Sequence, residues 1–130
     1  MGTPATQEHP NARLIREGLE AFNQRDMQAY ADLIADDIVW HQIGSPEPLR
    51  GKQALADQMT TNTGDFDIVA EVHDVVANDE HAIALVNATA RRGDQTFEYR
   101  TAEIMHMRDG KIVERWAFSD DTQAINEFFA

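Results

Sequence analysis

The hydrophobic period of this chain changes near its middle, and this change constrains the fold more than any other feature. Apolar residues of the first half recur at helical spacing, as in Leu14, Ile15, Leu19 and Phe22. Four segments of the second half alternate as strands do: residues 66–77, 81–91, 96–108 and 111–118. Short polar turns such as Asp109-Gly110 join these segments, so neighbouring strands must run antiparallel.

Three helices and one short strand precede the four long strands. The first helix follows Pro10, and the second has Asp26 as its N-cap and an apolar face of Met27, Tyr30, Leu33 and Ile34. A strand over residues 38–42 comes next, and Gly51 begins a third helix that ends near Gly64. A closing helix begins at Asp120 or Asp121.

This order of elements predicts an α+β fold in a single domain of residues 1–130. We expect a cone-shaped, two-layer structure, with N-terminal helices packed on a curved antiparallel sheet and an internal pocket. Residues 1–9 are predicted to form a flexible N-terminal tail.

The charge and the cysteine content exclude several classes of function. The net charge of −12 argues against nucleic acids and anionic membranes as partners, because these are bound by clustered Lys and Arg. With no cysteine and only scattered histidines, we predict no disulfide, no metal site and no cofactor. The start of the chain lacks the features of a signal peptide, and we expect a cytoplasmic protein.

Glu103 is a candidate for a catalytic carboxyl group. It shares its strand parity with an apolar and aromatic set: Phe97, Tyr99, Thr101, Met105 and Met107. Burial among such side chains favours the neutral acid, which can donate a hydrogen bond. In the alternative register, Ala102 and Ile104 face inward and Glu103 lies on the surface.

His41 is the second catalytic candidate. It comes after the apolar residues Ile38, Val39 and Trp40 and before a turn at Gly44, a placement that suits the rim or floor of a pocket. An imidazole there can take or give a proton near neutral pH. The alternative is a structural histidine that is bonded to the backbone.

Three sequence segments carry a resemblance to a known superfamily. They are Ala35-Asp36-Asp37-Ile38-Val39-Trp40-His41, Gly51-Lys52-Gln53-Ala54-Leu55 and Arg108-Asp109-Gly110-Lys111-Ile112-Val113. The chain resembles the nuclear-transport-factor-2-like superfamily, and within it the SnoaL-like and ketosteroid-isomerase-related proteins. The resemblance implies the fold and a homodimer, but members of the superfamily include isomerases, cyclases, dehydratases, epoxide hydrolases and ligand binders.

Individual positions depart from the ketosteroid isomerase pattern. The resemblance maps the catalytic base of those enzymes onto His41 and their protonated acid onto Glu103, whereas their tyrosine falls on Gly18. SnoaL-like cyclases often carry an Asp after the Trp of the last strand, and this chain has Ala117 there. These departures argue against a steroid isomerase and against a cyclase of the usual type.

The sequence therefore predicts a small-molecule pocket protein. If this protein is an enzyme, its predicted chemistry is proton transfer without a cofactor, as in isomerases, cyclases and lyases. His41 and Glu103 are the predicted catalytic pair. The predicted binding residues for an apolar ligand are Phe22, Tyr30, Trp40, Met59, Tyr99, Met105, Trp116 and Phe118. The alternatives are a non-catalytic binding protein and a dimerisation module with a vestigial pocket.

A homodimer would need an apolar surface on the sheet. Ala82, Ala84, Val86, Ala88 and Ala90 share one strand parity, and they form such a strip unless this parity faces inward.

Overall fold

The computed structural model describes residues 8–62 and 67–129 as four helices and six strands. The helices are α1 (Pro10–Asn23), α2 (Met27–Asp32), α3 (Lys52–Asn62) and α4 (Thr122–Phe129). The strands are β1 (Ile34–Trp40), β2 (Leu49–Arg50), β3 (Asp67–Ala77), β4 (His81–Arg92), β5 (Gln95–Arg108) and β6 (Lys111–Ser119). Most of the predicted tail (residues 1–9), the helix end near Gly64 and the strand start at residue 66 lie outside the described residues.

The six strands form one sheet in the order β2-β1-β6-β5-β4-β3. All neighbours are antiparallel except β1 and β6, which run parallel. The sheet is curved and does not close into a barrel, and the early helices pack on one side of it. This arrangement confirms the predicted α+β fold.

The end of α2 corrects the prediction that Leu33 and Ile34 belong to this helix. Asp26 does cap α2, since its Oδ1 accepts a hydrogen bond from the Ala29 N–H at 3.2 Å. The helix ends at Asp32, however, and Ile34 begins β1 in register with Ile112 of β6. Ile34 adopts the strand conformation because a β-branched side chain packs well on a pleated sheet and has a low helix propensity.

The face of the sheet that carries the helices is here called the inner face. In β4, Ala82, Ala84 and Ala90 are at most 1% exposed and point to this face. The alanine strip therefore faces inward and belongs to the core, so it does not supply a dimer surface. Its small side chains leave room for α1, whose residue Ile15 is 2% exposed. Burial of an isoleucine side chain contributes roughly 1.5–3 kcal/mol to the free energy of folding.

Two asparagines of α1 fix this helix on the sheet. Asn23 donates to the Ala70 carbonyl at 2.7 Å and accepts from the Ala70 N–H at 2.8 Å, as a neighbouring strand would. Buried Asn11 donates to the carbonyls of Asn78 and Asp79 in the turn between β3 and β4. These bonds satisfy backbone groups at the ends of β3 and set the position of the helix.

The opposite face of the sheet, here called the outer face, exposes large apolar side chains. Val76 and Phe118 are each 57% exposed, Leu85 is 42% exposed and Ile83 is 38% exposed.

No helix in the described part of the chain is long and apolar enough to span a membrane.

Candidate functional site

Glu103 lies on the inner face of β5, near the middle of the sheet. Its strand neighbours are Ala84 on β4 and Ala117 on β6, so small side chains flank the carboxylate on both sides. Glu103 is only 9% exposed, and Met105, two positions further along the same face, is 3% exposed. The strand thus places a carboxylate in the core, where a charge needs a partner.

Arg115 of β6 is that partner. Its Nε donates to Glu103 Oε1 at 3.1 Å, and the two side chains are 13% and 12% exposed. A second guanidinium nitrogen donates to the His41 carbonyl at 3.1 Å, and the guanidinium carbon lies 4.2 Å from the centroid of the Trp40 ring. Glu103 is therefore one half of a buried ion pair, and the sequence analysis did not foresee this partner.

A β-bulge in β6 turns Arg115 toward the core. Ile112 pairs with Met107 and Glu114 pairs with His106, so Val113 is an extra residue without an opposite partner. Ile112 and Arg115 consequently both face inward, although a regular strand would place them on opposite faces.

The same bulge determines the position of two predicted ligand contacts. Trp116 and Phe118 share the sequence parity of Ile112, which is 4% exposed, so an uninterrupted alternation would turn all three inward. Beyond Val113 the faces are exchanged, and Trp116 pairs with Ile104 while Phe118 pairs with Ala102 on the outer face. Neither side chain approaches Glu103.

His41 also points to the outer face. Trp40 is buried on the inner face, and His41 follows it in the alternation. The His41 ring stacks on Trp116, with 5.1 Å between centroids, and its Nε2 lies 2.9 Å from Glu114 Oε2. The side chains of His41 and Glu103 are thus on opposite sides of the sheet and do not form the shared cavity that the sequence suggested.

The two tyrosines of the chain, Tyr30 and Tyr99, accompany the ion pair on the inner side. Burial raises the pKa of both phenols above the ordinary value of 10.0, and the negative charge of Glu103 adds to this while Arg115 opposes it. Tyr30 is 8% exposed, and its hydroxyl has no hydrogen-bond partner among the described residues. Tyr30 therefore keeps its proton and can donate a hydrogen bond.

Three of the predicted binding residues meet at a small cavity beside the ion pair, here called the inner cavity. Tyr30, Trp40 and Met105 line it together with Glu103 and Arg115, and its volume is about 10 Å³. A space of this size holds about one water molecule.

Trp40 and Arg115 also line a larger opening, the α4 groove, between the loop after β1 and the closing helix. Its volume is about 440 Å³, and Tyr99, Ile43, Ile125 and Phe129 contribute apolar walls. The inner cavity and the α4 groove therefore share two side chains, and a movement of these side chains would join them.

Two further predicted residues lie near Tyr30. The Phe22 ring packs on Tyr30, with 5.4 Å between centroids. Met59 lines a separate apolar groove of about 260 Å³ between α2 and α3, to which Tyr30 also contributes. A further opening, of about 620 Å³, is polar; it includes Tyr99 but neither Glu103 nor Arg115, so it lies away from the ion pair.

The resemblance to the ketosteroid isomerases maps their tyrosine onto Gly18. A Cβ atom at Gly18 would lie 2.5 Å from Leu33 Cδ2, so any larger side chain would displace Leu33. The phenol at the site comes instead from Tyr30 of α2.

Arg115 is the residue that the sequence analysis missed. One signal for it was present, because the resemblance places a catalytic position of the cyclases at Ala117, and Arg115 shares the parity of Ala117. Within residues 8–62 and 67–129, no group of three or more His, Cys, Asp or Glu side chains is placed to hold a metal ion.

The family model of the SnoaL-like domain matches residues 15–115. Similar solved structures include Bal32a from a soil-derived mobile gene cassette, at 23% identity and a TM-score of 0.78, covering 92% of this chain and 96% of that one. IdmH from Streptomyces antibioticus, described as a candidate polyketide cyclase, has 24% identity and a TM-score of 0.74, covering 94% and 100%.

An epoxide hydrolase of the LEH-like type from M. tuberculosis is also similar, at 16% identity and a TM-score of 0.78, covering 89% of this chain and 86% of that one. At these identities the likeness shows the fold and not the reaction. No curated protein sequence matches this chain significantly.

Proposed function

Because this chain belongs to the SnoaL-like family of the nuclear-transport-factor-2-like superfamily, we propose that it is an enzyme of cofactor-independent proton transfer on an apolar small molecule. Glu103 is the proposed base, and Tyr30 and Arg115 stabilise the oxyanion. The buried Glu103–Arg115 pair beside an unpartnered phenol is the observation that carries this proposal.

The carboxylate of Glu103 suits the role of a base. Arg115 neutralises its charge through Oε1, and the second oxygen has no hydrogen-bond partner among the described residues. A carboxylate held in this way can accept a proton from a carbon next to a carbonyl group. The electron pair of the C–H bond then forms the carbon–carbon double bond of the enolate, the π pair of the carbonyl group moves onto its oxygen, and the proton returns at the same or a conjugated carbon.

Tyr30 and Arg115 supply donors for the oxygen on which negative charge develops. The raised pKa of Tyr30 keeps the phenol protonated, and the guanidinium is fixed by Glu103, His41 and Trp40. Donors that are already oriented in a site of low polarity stabilise an enolate more than they stabilise the neutral ketone. In this proposal His41 acts through its carbonyl group, which orients Arg115.

The substrate would enter from the α4 groove. The inner cavity, at about 10 Å³, is too small for an organic molecule, so the Trp40 ring must move when the substrate binds, while Glu103 and the His41 carbonyl hold Arg115 in place. The α4 groove, at about 440 Å³, is within the usual size range of ligand pockets.

Hydrogen–deuterium exchange tests this proposal without knowledge of the natural substrate. 1-Tetralone and 1-indanone, incubated with the protein in D₂O, should lose the proton signals next to the carbonyl faster than in buffer. Glu103→Gln should slow this exchange by roughly 10²–10⁴-fold, the usual contribution of a general base. Glu114→Gln, on the outer face of β6, is the matched control and should leave the rate unchanged. Exchange no faster than in buffer, or an unaffected Glu103→Gln, would overturn the proposal.

A non-catalytic binding protein is the second candidate. The small inner cavity favours it, because the ion pair would then be a structural element and the ligand would remain in the α4 groove. This candidate predicts that 1-tetralone shifts the NMR signals of Trp40 and Tyr99 while its protons do not exchange.

We also propose a homodimer formed through the outer face. The apolar side chains there are neighbours in two rows across the sheet, Val76-Ile83-Ile104-Trp116 and Leu85-Ala102-Phe118, according to the strand registers. A contiguous exposed apolar patch is typical of an association surface. If the α4 groove binds no small molecule, dimerisation through this face remains as the function of the domain.

A further inference from the structure

The α4 groove is unusual in its charge. The protein has a net charge of −12, yet no carboxylate lines this groove and Arg115 is its one charged side chain among the described residues. The other polar side chains are the amides of Gln42, Gln58 and Asn126 and the hydroxyl groups of Ser45 and Tyr99. An anion that enters the groove therefore meets a cation and, in the part of the wall that the structure describes, no negative charge.

The guanidinium of Arg115 has donors left for a ligand. One N–H bonds to Glu103 and one bonds to the His41 carbonyl. A guanidinium has more N–H donors than these two bonds use, and the remaining N–H groups of Arg115 have no partner among the described residues. Glu103 lines the inner cavity and not the α4 groove, so the pair presents its carboxylate inward and its cation toward the groove.

Trp40 and Tyr99 determine the shape of ligand that fits beside this cation. The Trp40 ring holds one face of the guanidinium, and Tyr99 and Phe129 add aromatic walls. Flat side chains of this kind favour a flat, conjugated ligand through stacking.

We propose that the α4 groove binds a planar aromatic acid, whose carboxylate or acidic enol oxygen is held by the free N–H groups of Arg115. This inference deepens the proposed function, because it names the substrate class of the same site. A guanidinium binds such oxygens through charge-assisted hydrogen bonds, which are stronger than bonds between neutral groups.

Binding of 2-naphthoate, measured by calorimetry, tests the proposal, with 2-naphthamide as its neutral counterpart of the same shape. The carboxylate should bind at least about tenfold more tightly than the amide, in keeping with the usual strength of hydrogen bonds to charged groups. 2-Hydroxy-1,4-naphthoquinone, an acidic enol, shows whether an enolate oxygen serves as well as a carboxylate.

Two variants separate the role of Arg115 from that of Glu103. Glu103→Gln keeps the cation and removes the competing carboxylate, so naphthoate should bind as tightly as before or more tightly. The double variant Glu103→Gln/Arg115→Gln leaves no unpaired charge in the core and should bind the acid and the amide equally.

The outcomes distinguish this inference from the proposed catalysis. A tenfold preference for the acid without proton exchange would retain the anion site and exclude the enzyme. Equal binding of naphthoate and naphthamide to the wild-type protein would overturn the anion site, whatever the exchange rates are. The same result follows if the double variant retains the preference for the acid.

Discussion

Strands β5 and β6 are hydrogen-bonded neighbours that each carry one charged side chain to the inner face, but only in β5 does the sequence pattern indicate it. In β5 the alternation is regular, so Glu103 shares the parity of Tyr99 and Met105 and faces the core with them. In β6 the bulge at Val113 exchanges the faces. Arg115 therefore points inward, whereas an uninterrupted alternation that starts at Ile112 would turn Trp116 inward. A single unpaired residue therefore decides which side chains form the site.

Insertion of one alanine between Glu114 and Arg115 should have the largest effect, because it shifts the alternation of β6 by one position beyond the bulge. Arg115 would then point to the outer face and Trp116 to the core, which would leave Glu103 buried without its partner. We expect a loss of more than about 4 kcal/mol in the free energy of unfolding, a value reserved for severe disruptions of the core. Urea unfolding followed by circular dichroism measures it. Val113→Ala keeps the chain length and the faces of β6 and should cost far less; equal losses would show that the inward direction of Arg115 does not matter for stability.

Arg115→Met should have the next largest effect. Removal of one partner from a buried ion pair costs about 3–5 kcal/mol, because the other charge remains uncompensated. The double variant Glu103→Leu/Arg115→Met should recover most of this loss in the same urea experiment. Glu114→Ala lies one position away on the outer face and should cost no more than about 1 kcal/mol. If Arg115→Met and Glu114→Ala cost the same, the two faces of β6 do not differ as described.

Alkaline pH tests the electrostatics of the inner face. Tyr30 has a raised pKa in the folded protein, whereas in the unfolded chain its phenol loses the proton near pH 10. The full stability is thus present below about pH 10 and declines at higher pH, by up to about 1.4 kcal/mol per pH unit for each such phenol. Tyr30→Phe should make the decline between pH 9.5 and about 11 shallower, as seen in urea unfolding at each pH. An unchanged slope would place the hydroxyl in water.

Substitution on the outer face should affect stability least. Leu85→Glu changes an exposed side chain and should alter the free energy of unfolding of the monomer by about 0.5 kcal/mol or less. It should nevertheless dissociate the proposed homodimer, because it places a charge in the apolar rows. Sedimentation velocity at micromolar concentration measures the change, and Asn87→Glu, further along the same strand, is the control. A wild-type protein that sediments as a monomer would contradict the dimer.

Long regular segments were predictable for a physical reason. The alternation of β4 and β5 and the helical spacing of α1 extend over many residues, so local errors do not alter the face that is buried. The placement of Glu103 on the inner face depends only on this regularity. The cap of α2 at Asp26 was also predictable, because it depends on contacts within four residues of the chain.

The positions around β1 were less predictable because their environment comes from distant parts of the chain. Ile34 leaves the expected helix to pair with Ile112, which is far away in sequence. Strand β2 has two residues and shows no period at all. His41 was predicted to lie at the rim or floor of the pocket because it follows the apolar residue Trp40. Alternation alone, however, puts neighbouring residues of a strand on opposite faces.

The sequence by itself determined the class of fold, the order of its elements and the inward direction of Glu103, since these follow from periods repeated along the chain. Only the tertiary structure decided that Arg115 joins Glu103 in the core, that Tyr30 supplies the phenol, and that His41 and Trp116 lie on the other side of the sheet. These facts depend on a bulge that the pairing of β6 with β5 creates, and on a helix that meets the sheet through residues distant in sequence. A pattern within one strand contains no information about either.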